Sequence, residues 1–165
     1  MGSKADAGSD ARRQLLETVE GHPGLDKSVL CRATGLGWGT LSYHLEVLQA
    51  SGLVKLRSLG RQTNVFSAQI PDSQLRALAA LRQGAGPVLP AAVQRVPGLT
   101  VRELAATVGA SPKVVRRQLG LLGSRGLVRA GRSRPAQFHP APRLLQALRL
   151  LGEGPDVANN RLSRR

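Results

Sequence analysis

The spacing of leucine and valine divides the chain into helical and extended stretches. Leu15, Leu16 and Val19 recur at helical spacing, and Leu89 and Val93 do so again further on. Pro23-Gly24 and Pro97-Gly98 follow these stretches as turns, and a short second helix comes after each. Asp26 is the expected cap of the first of these helices, while Thr100 and Glu103 make a T-x-x-E capping box at the start of the other. Gly35 and Gly109 end them. The third helix then carries an i, i+4, i+7 stripe, Leu41, Leu45, Leu48 in one case and Val115, Leu119, Leu122 in the other. Ser111-Pro112 marks its start in the second case as an N-cap followed by an N1 proline. After Gly52 and Gly126 the period shortens. Leu53–Arg57 and Leu127–Ala130 are short apolar-basic segments, each followed by a Gly/Arg-rich turn and a returning strand, Thr63–Ser67 or Ala136–His139. The pattern predicts two-stranded hairpins with basic tips. Helix, helix, turn, helix and hairpin form the winged helix-turn-helix arrangement, so the expected fold class is mainly α with small β-hairpin wings.

The same pattern occurs twice because the chain repeats. A shift of 74 residues superimposes Pro23-Gly24-Leu25 on Pro97-Gly98-Leu99, Leu30 on Leu104 and Gly35 on Gly109. It also lays Leu45 and Leu48 on Leu119 and Leu122, and Gly52-Leu53-Val54 on Gly126-Leu127-Val128, giving ten identities in 32 ungapped positions. All ten are apolar, Gly or Pro, the residue types that two copies of one fold retain. The predicted organisation is a disordered N-terminus at 1–9, a first winged-helix domain at 10–70, a linker helix and hinge at 71–86, and a second domain at 87–140. A C-terminal helix at 141–152 and a disordered basic tail at 153–165, with Arg161, Arg164 and Arg165, complete it. The segments 71–83 and 142–151 are amphipathic, with leucines at helical spacing. They are expected to pack on their own domains, which are small enough to need extra apolar cover, or to form a homodimer contact. Gly84-Ala85-Gly86-Pro87 reads as the hinge.

Charge separates the copies. The formal net charge is +14, from 24 Lys+Arg against 10 Asp+Glu. Residues 1–70 hold eight bases and six acids, a net +2, whereas residues 71–165 hold 16 bases and four acids, a net +12. A GC-rich genome inflates arginine everywhere, so an uneven distribution needs a local cause. Pro87–Pro140 contains nine bases and a single acid, Glu103, which its capping role explains. A polyanionic partner is the expected cause.

Gly35-Leu36-Gly37-Trp38-Gly39-Thr40-Leu41-Ser42-Tyr43-His44-Leu45, followed by Leu48 and Ser51-Gly52-Leu53-Val54, resembles the recognition-helix signature of the MarR/ArsR-like winged-helix regulators, especially archaeal-type members. The Asp26–Thr34 helix and the Gly60-Arg61-Gln62-Thr63 wing extend the likeness across the first domain. Leu104, Gly109, Ser111-Pro112 and Arg125-Gly126-Leu127-Val128 carry it more loosely into the second. The resemblance implies double-stranded DNA as the partner and transcription regulation as the role. It implies neither an operator nor an effector.

In a helix-turn-helix the third helix enters the major groove and the preceding helix crosses the backbone. With the apolar stripes set inward, subtraction leaves Trp38, Thr40, Ser42, Tyr43 and His44 outward in the first copy, and Lys113, Arg116, Arg117 and Gln118 in the second. The wings offer Arg57 and Arg61 in one copy and Arg129, Arg132 and Arg134 in the other. Arginine forks onto guanine or onto phosphate, and the sequence does not separate the two. On this reading the first domain reads sequence and the second supplies affinity. A nucleoid-type protein with sequence-tolerant binding belongs to the same class. A protein–protein assembly adaptor built on tandem winged helices is the rival from another class, and the first domain is neutral enough to suit it.

Catalysis is not expected, since no Gly-rich phosphate loop, HExxH or spaced nucleophile and base occurs. No cofactor or metal is expected either: Cys31 is the single cysteine, and His22, His44 and His139 lie in three different elements. Cys31 faces Ala105 across the repeat and reads as a small core residue. No apolar run approaches the roughly 18–20 residues that span a bilayer, and residues 1–10 lack the apolar segment of a signal peptide. The expected location is therefore cytoplasmic, at the nucleoid, with no membrane partner.

Overall fold

The computed structural model describes residues 4–59, 61–82 and 87–152. The chain divides into two compact units between Leu75 and Arg76. It is mainly helical with two small antiparallel sheets, consistent with a winged-helix-like fold.

The first unit runs α1 (Lys4–Gly21), β1 (Leu25–Asp26), α2 (Lys27–Thr34), α3 (Trp38–Ala50), β2 (Val54–Leu59) and β3 (Gln62–Ser67), and ends in the first turn of α4 (Asp72–Arg82). The Asp26 carboxylate accepts from the Val29 N–H and caps α2, and Gly35 closes that helix in the left-handed region at φ 69°. The core is Leu15 and Val19 of α1, Leu30 of α2, Leu41, Leu45 and Leu48 of α3, with Val54 and Val65 from the sheet. Cys31 is half-buried and packs against that core.

The second unit holds α5 (Val88–Arg95), β4 (Leu99–Thr100), α6 (Val101–Val108), α7 (Pro112–Ser124), β5 (Val128–Ala130), β6 (Gln137–Pro140) and α8 (Pro142–Leu150). Thr100 and Glu103 make the capping box of α6, and the Ser111 hydroxyl accepts from the Val114 N–H at the start of α7. Leu89, Val93, Leu104, Val115, Leu119, Leu122 and Leu127 are buried. Helix α8 packs on α5 and buries Leu144, Ala147 and Leu148, leaving Leu150 partly exposed.

Two features differ from the expectation. Each hairpin gains a third strand: the sheets run β1-β3-β2 and β4-β6-β5, with Leu25 opposite Val65 and Leu99 opposite Phe138. Two-residue strands are too short to show a period, but they follow from the Pro-Gly turns. Gly24 and Gly98, at φ 86° and 92°, turn the chain so that their N–H groups donate to the Val65 and Phe138 carbonyls. Helix α1 begins at Lys4, so the segment expected to be disordered at 1–9 is helical from residue 4 onward. The amphipathic segment expected at 71–83 forms α4, and its Leu75, Ala77, Leu78, Ala79, Ala80 and Leu81 are buried. Residues 84–86 of the expected hinge, Gly60 at the first wing tip and the tail at 153–165 lie outside the described residues.

Candidate nucleic-acid interface

Helix α7 presents Lys113, Arg116 and Arg117 to solvent. Lys113 and Arg117 are one turn apart and Arg116 flanks them, so the three cations share one side of the helix. The buried face consists of Val115, Gln118, Leu119 and Leu122. Exposed cations also lie along the hairpin of the same unit: Arg129 on β5 opposite His139, and Arg132 and Arg134 in the turn at 131–136. Among the described residues these six side chains have no acidic partner; Glu103, the nearest acid in sequence, turns back onto Thr100. That pair of hydrogen bonds holds the Glu103 carboxyl below its ordinary value.

A cleft of about 700 Å³ opens between the first turns of α6 and α7 and the hairpin turn. Thr100, Arg102, Pro112, Arg116, Pro135 and Phe138 are among its lining residues, so it combines two guanidinium groups with an apolar floor. Arg102 adds to the basic total of the sequence but falls on none of the expected site positions. Its position two residues after the Thr100 cap is the signal, because the starts of α6 and α7 line the same cleft.

In the first unit α3 exposes Trp38, Thr40 and Tyr43 and half-buries Ser42. Trp38 and Tyr43 are each 57% exposed. The Lys27 ammonium lies 5.9 Å from the centre of the Trp38 ring, within cation–π range. Arg61 is exposed at the wing. Arg57 is not a free wing cation: its guanidinium lies 3.3 Å from the Asp72 carboxylate, which Lys55 also contacts at 2.8 Å. The two bases hold the Asp72 carboxyl below its ordinary value, Lys55 having the larger effect.

Two residues expected to face DNA are buried instead, His44 at 4% exposure and Gln118 at 8%. They are the same position in the two copies. An i, i+4, i+7 stripe is incomplete, because i+3 lies on the same face. Residues 41, 44, 45 and 48 therefore form one buried side, as do residues 115, 118, 119 and 122. His44 Nδ1 and Gln118 Nε2 have no hydrogen-bond partner among the described residues. Burial, and secondarily the charge of Arg12, lowers the His44 imidazole from its ordinary value.

Among the described residues no helix is long and apolar enough to cross a membrane. No family model and no curated protein matches the chain. Solved structures similar to it include the ESCRT-II endosomal trafficking complex, at 12% identity and a TM-score of 0.36, with 86% of this chain and 66% of that chain covered. ScpB from Mycobacterium tuberculosis is another, at 16% identity and a TM-score of 0.28, covering 90% of this chain and 98% of that one. The chain thus spans just under two thirds of the ESCRT-II chain it matches.

Proposed function

We propose that this chain binds double-stranded DNA through two tandem winged helix-turn-helix units of MarR/ArsR-like type and acts as a transcriptional regulator. The observation that carries the proposal is the row of six exposed cations on α7 and the adjoining hairpin, unaccompanied by acids among the described residues. Exposed cations on a helix and its adjoining hairpin match the phosphates bordering a groove, and their binding releases condensed counterions. The second unit supplies this electrostatic grip. The first unit presents Trp38, Thr40 and Tyr43, which can contact base edges or a thymine methyl, and it is the reader. No catalytic step belongs to this reading, and the chain works where cellular DNA is, at the nucleoid.

Binding to random and genomic duplexes across a salt series tests the proposal. Nanomolar-range affinity that falls steeply with salt supports it, and the ratio between the two duplex types separates a regulator from a sequence-tolerant coating protein. No duplex binding at low salt would sink it. The exposed aromatics of the first unit favour a second reading for that unit, as an adaptor that docks another protein. Trp38 is the only tryptophan, so its fluorescence separates the two. A change on saturation with duplex places α3 on DNA, and an unchanged spectrum favours the adaptor.

A further inference from the structure

We infer that the cleft of the second unit seats one backbone phosphate of the duplex between Arg102 and Arg116, which makes Arg116 a positioning contact and leaves Lys113 and Arg117 to face base edges. The inference rests on the DNA-binding reading and divides the labour within its site. Arg102 and Arg116 line the cleft, whereas Lys113 and Arg117 do not. The two arginines come from different helices and line one space, so that two planar forks can share the oxygens of an anion held there. Other polar groups at the rim are already committed. The Thr100 hydroxyl and Glu103 carboxylate hold each other, and the Ser111 hydroxyl accepts from Val114. Among the described residues that line the space none is acidic, and the Glu103 carboxylate beside Thr100 accepts from that residue's N–H and hydroxyl.

The rest of the lining says which phosphate. Pro112, Pro135 and Phe138 give the cleft an apolar floor, and its volume exceeds what a bare oxyanion needs. A phosphodiester brings two deoxyriboses whose C–H faces can rest on such a floor, and inorganic phosphate brings none. The equivalent positions of the first unit, 74 residues earlier, are Ser28 and Ser42. The seat therefore belongs to the second unit.

The test uses the full chain and the variants R102Q, R116Q, R102Q/R116Q and R117Q, with unchanged melting temperature as the check on folding. Binding is measured to several unrelated duplexes across a salt series. R102Q/R116Q is expected to weaken every duplex by a common factor and to flatten the slope of log K against log salt by about 0.9, one phosphate's worth. Each single variant flattens it by less, because the remaining arginine still holds the anion. R117Q is expected to change the ranking of the duplexes, by roughly 5- to 150-fold at the affected base pair. An unchanged slope in the double variant, or a changed ranking in R116Q, would overturn the assignment while leaving DNA binding intact. If the wild type binds no duplex, titration with inorganic phosphate, followed by the backbone amide shifts of Val101, Arg102 and Arg116, decides the cleft separately. Saturable shifts lost in the double variant keep the oxyanion seat although the DNA reading has failed, and their absence removes both.

Discussion

Replacing His44 with leucine should stabilise the first unit and remove its sensitivity to mild acid. In the wild type the imidazole sits on the core side of α3 between Leu41 and Leu48, and Nδ1 is buried without a partner among the described residues. An unsatisfied buried polar atom costs about 1–3 kcal/mol, and an apolar side chain of similar size removes that penalty. For a domain of 60–100 residues each kcal/mol moves the midpoint by about 4–8 °C, so H44L should melt at least several degrees higher near neutral pH. The pH dependence follows from the lowered imidazole pKa, caused by burial and then by Arg12. Because the folded state disfavours the proton, wild-type stability is complete above the ordinary histidine value of about 6.5. It is lost as pH falls through the lower folded value, with a slope of at most about 1.4 kcal/mol per pH unit for one proton. Leucine has no proton to take up. Thermal melts followed by Trp38 fluorescence at about pH 7.5 and 5.5 report the transition of the unit that carries it. An H44L midpoint below that of the wild type, or equal losses in both proteins on acidification, would refute the reasoning. Duplex affinity at neutral pH should be unchanged in H44L, which separates a core histidine from a DNA contact.

Gln118→Leu is the parallel change in the second unit and should raise stability by about 1 kcal/mol in urea unfolding; a loss of duplex affinity would return Gln118 to the DNA face. Leu119→Ala removes a buried core side chain and should lower the unfolding free energy by about 2–5 kcal/mol, where a loss below about 1 kcal/mol would show that α7 packs on another face. Asp72→Asn releases Lys55 and Arg57 from an exposed pair, so the melting temperature should hardly move. The salt slope of duplex binding should steepen by up to about 0.9 as Arg57 becomes available to a phosphate, and an unchanged slope would leave Arg57 outside the interface.

The apolar pattern made the helices legible because their buried faces are long enough to repeat. Leu41, Leu45 and Leu48 define a direction, and so do Val115, Leu119 and Leu122. The caps were legible as well, since Asp26, Thr100 with Glu103, and Ser111 act on neighbours three residues away. Pairing over a distance was not legible. Strand β1 is two residues whose partner lies forty positions along the chain, and Arg57 meets Asp72 only once β2 and α4 are placed. Polarity misled at one position in each copy. The chemistry of His44 and Gln118 points them outward, although helical geometry puts them with the leucines. Arg102 was missed for the opposite reason: it belongs to no periodic stripe, and its role depends on which helix start stands beside it.

The two wings differ in compliance. In the first unit β2 and β3 pair along six residues each, in unbroken register from Val54 opposite Ser67 to Leu59 opposite Gln62. In the second, β5 contributes three residues, and Arg132 and Arg134 sit beyond the last rung. A ladder held by many rungs bends as a stiff beam, whereas a loop past a short ladder yields to small forces. On the proposed function, the more highly charged unit would carry Arg132 and Arg134 on the softer arm, where they could follow phosphates whose spacing varies with groove width. The first unit holds its wing at a set reach from α3.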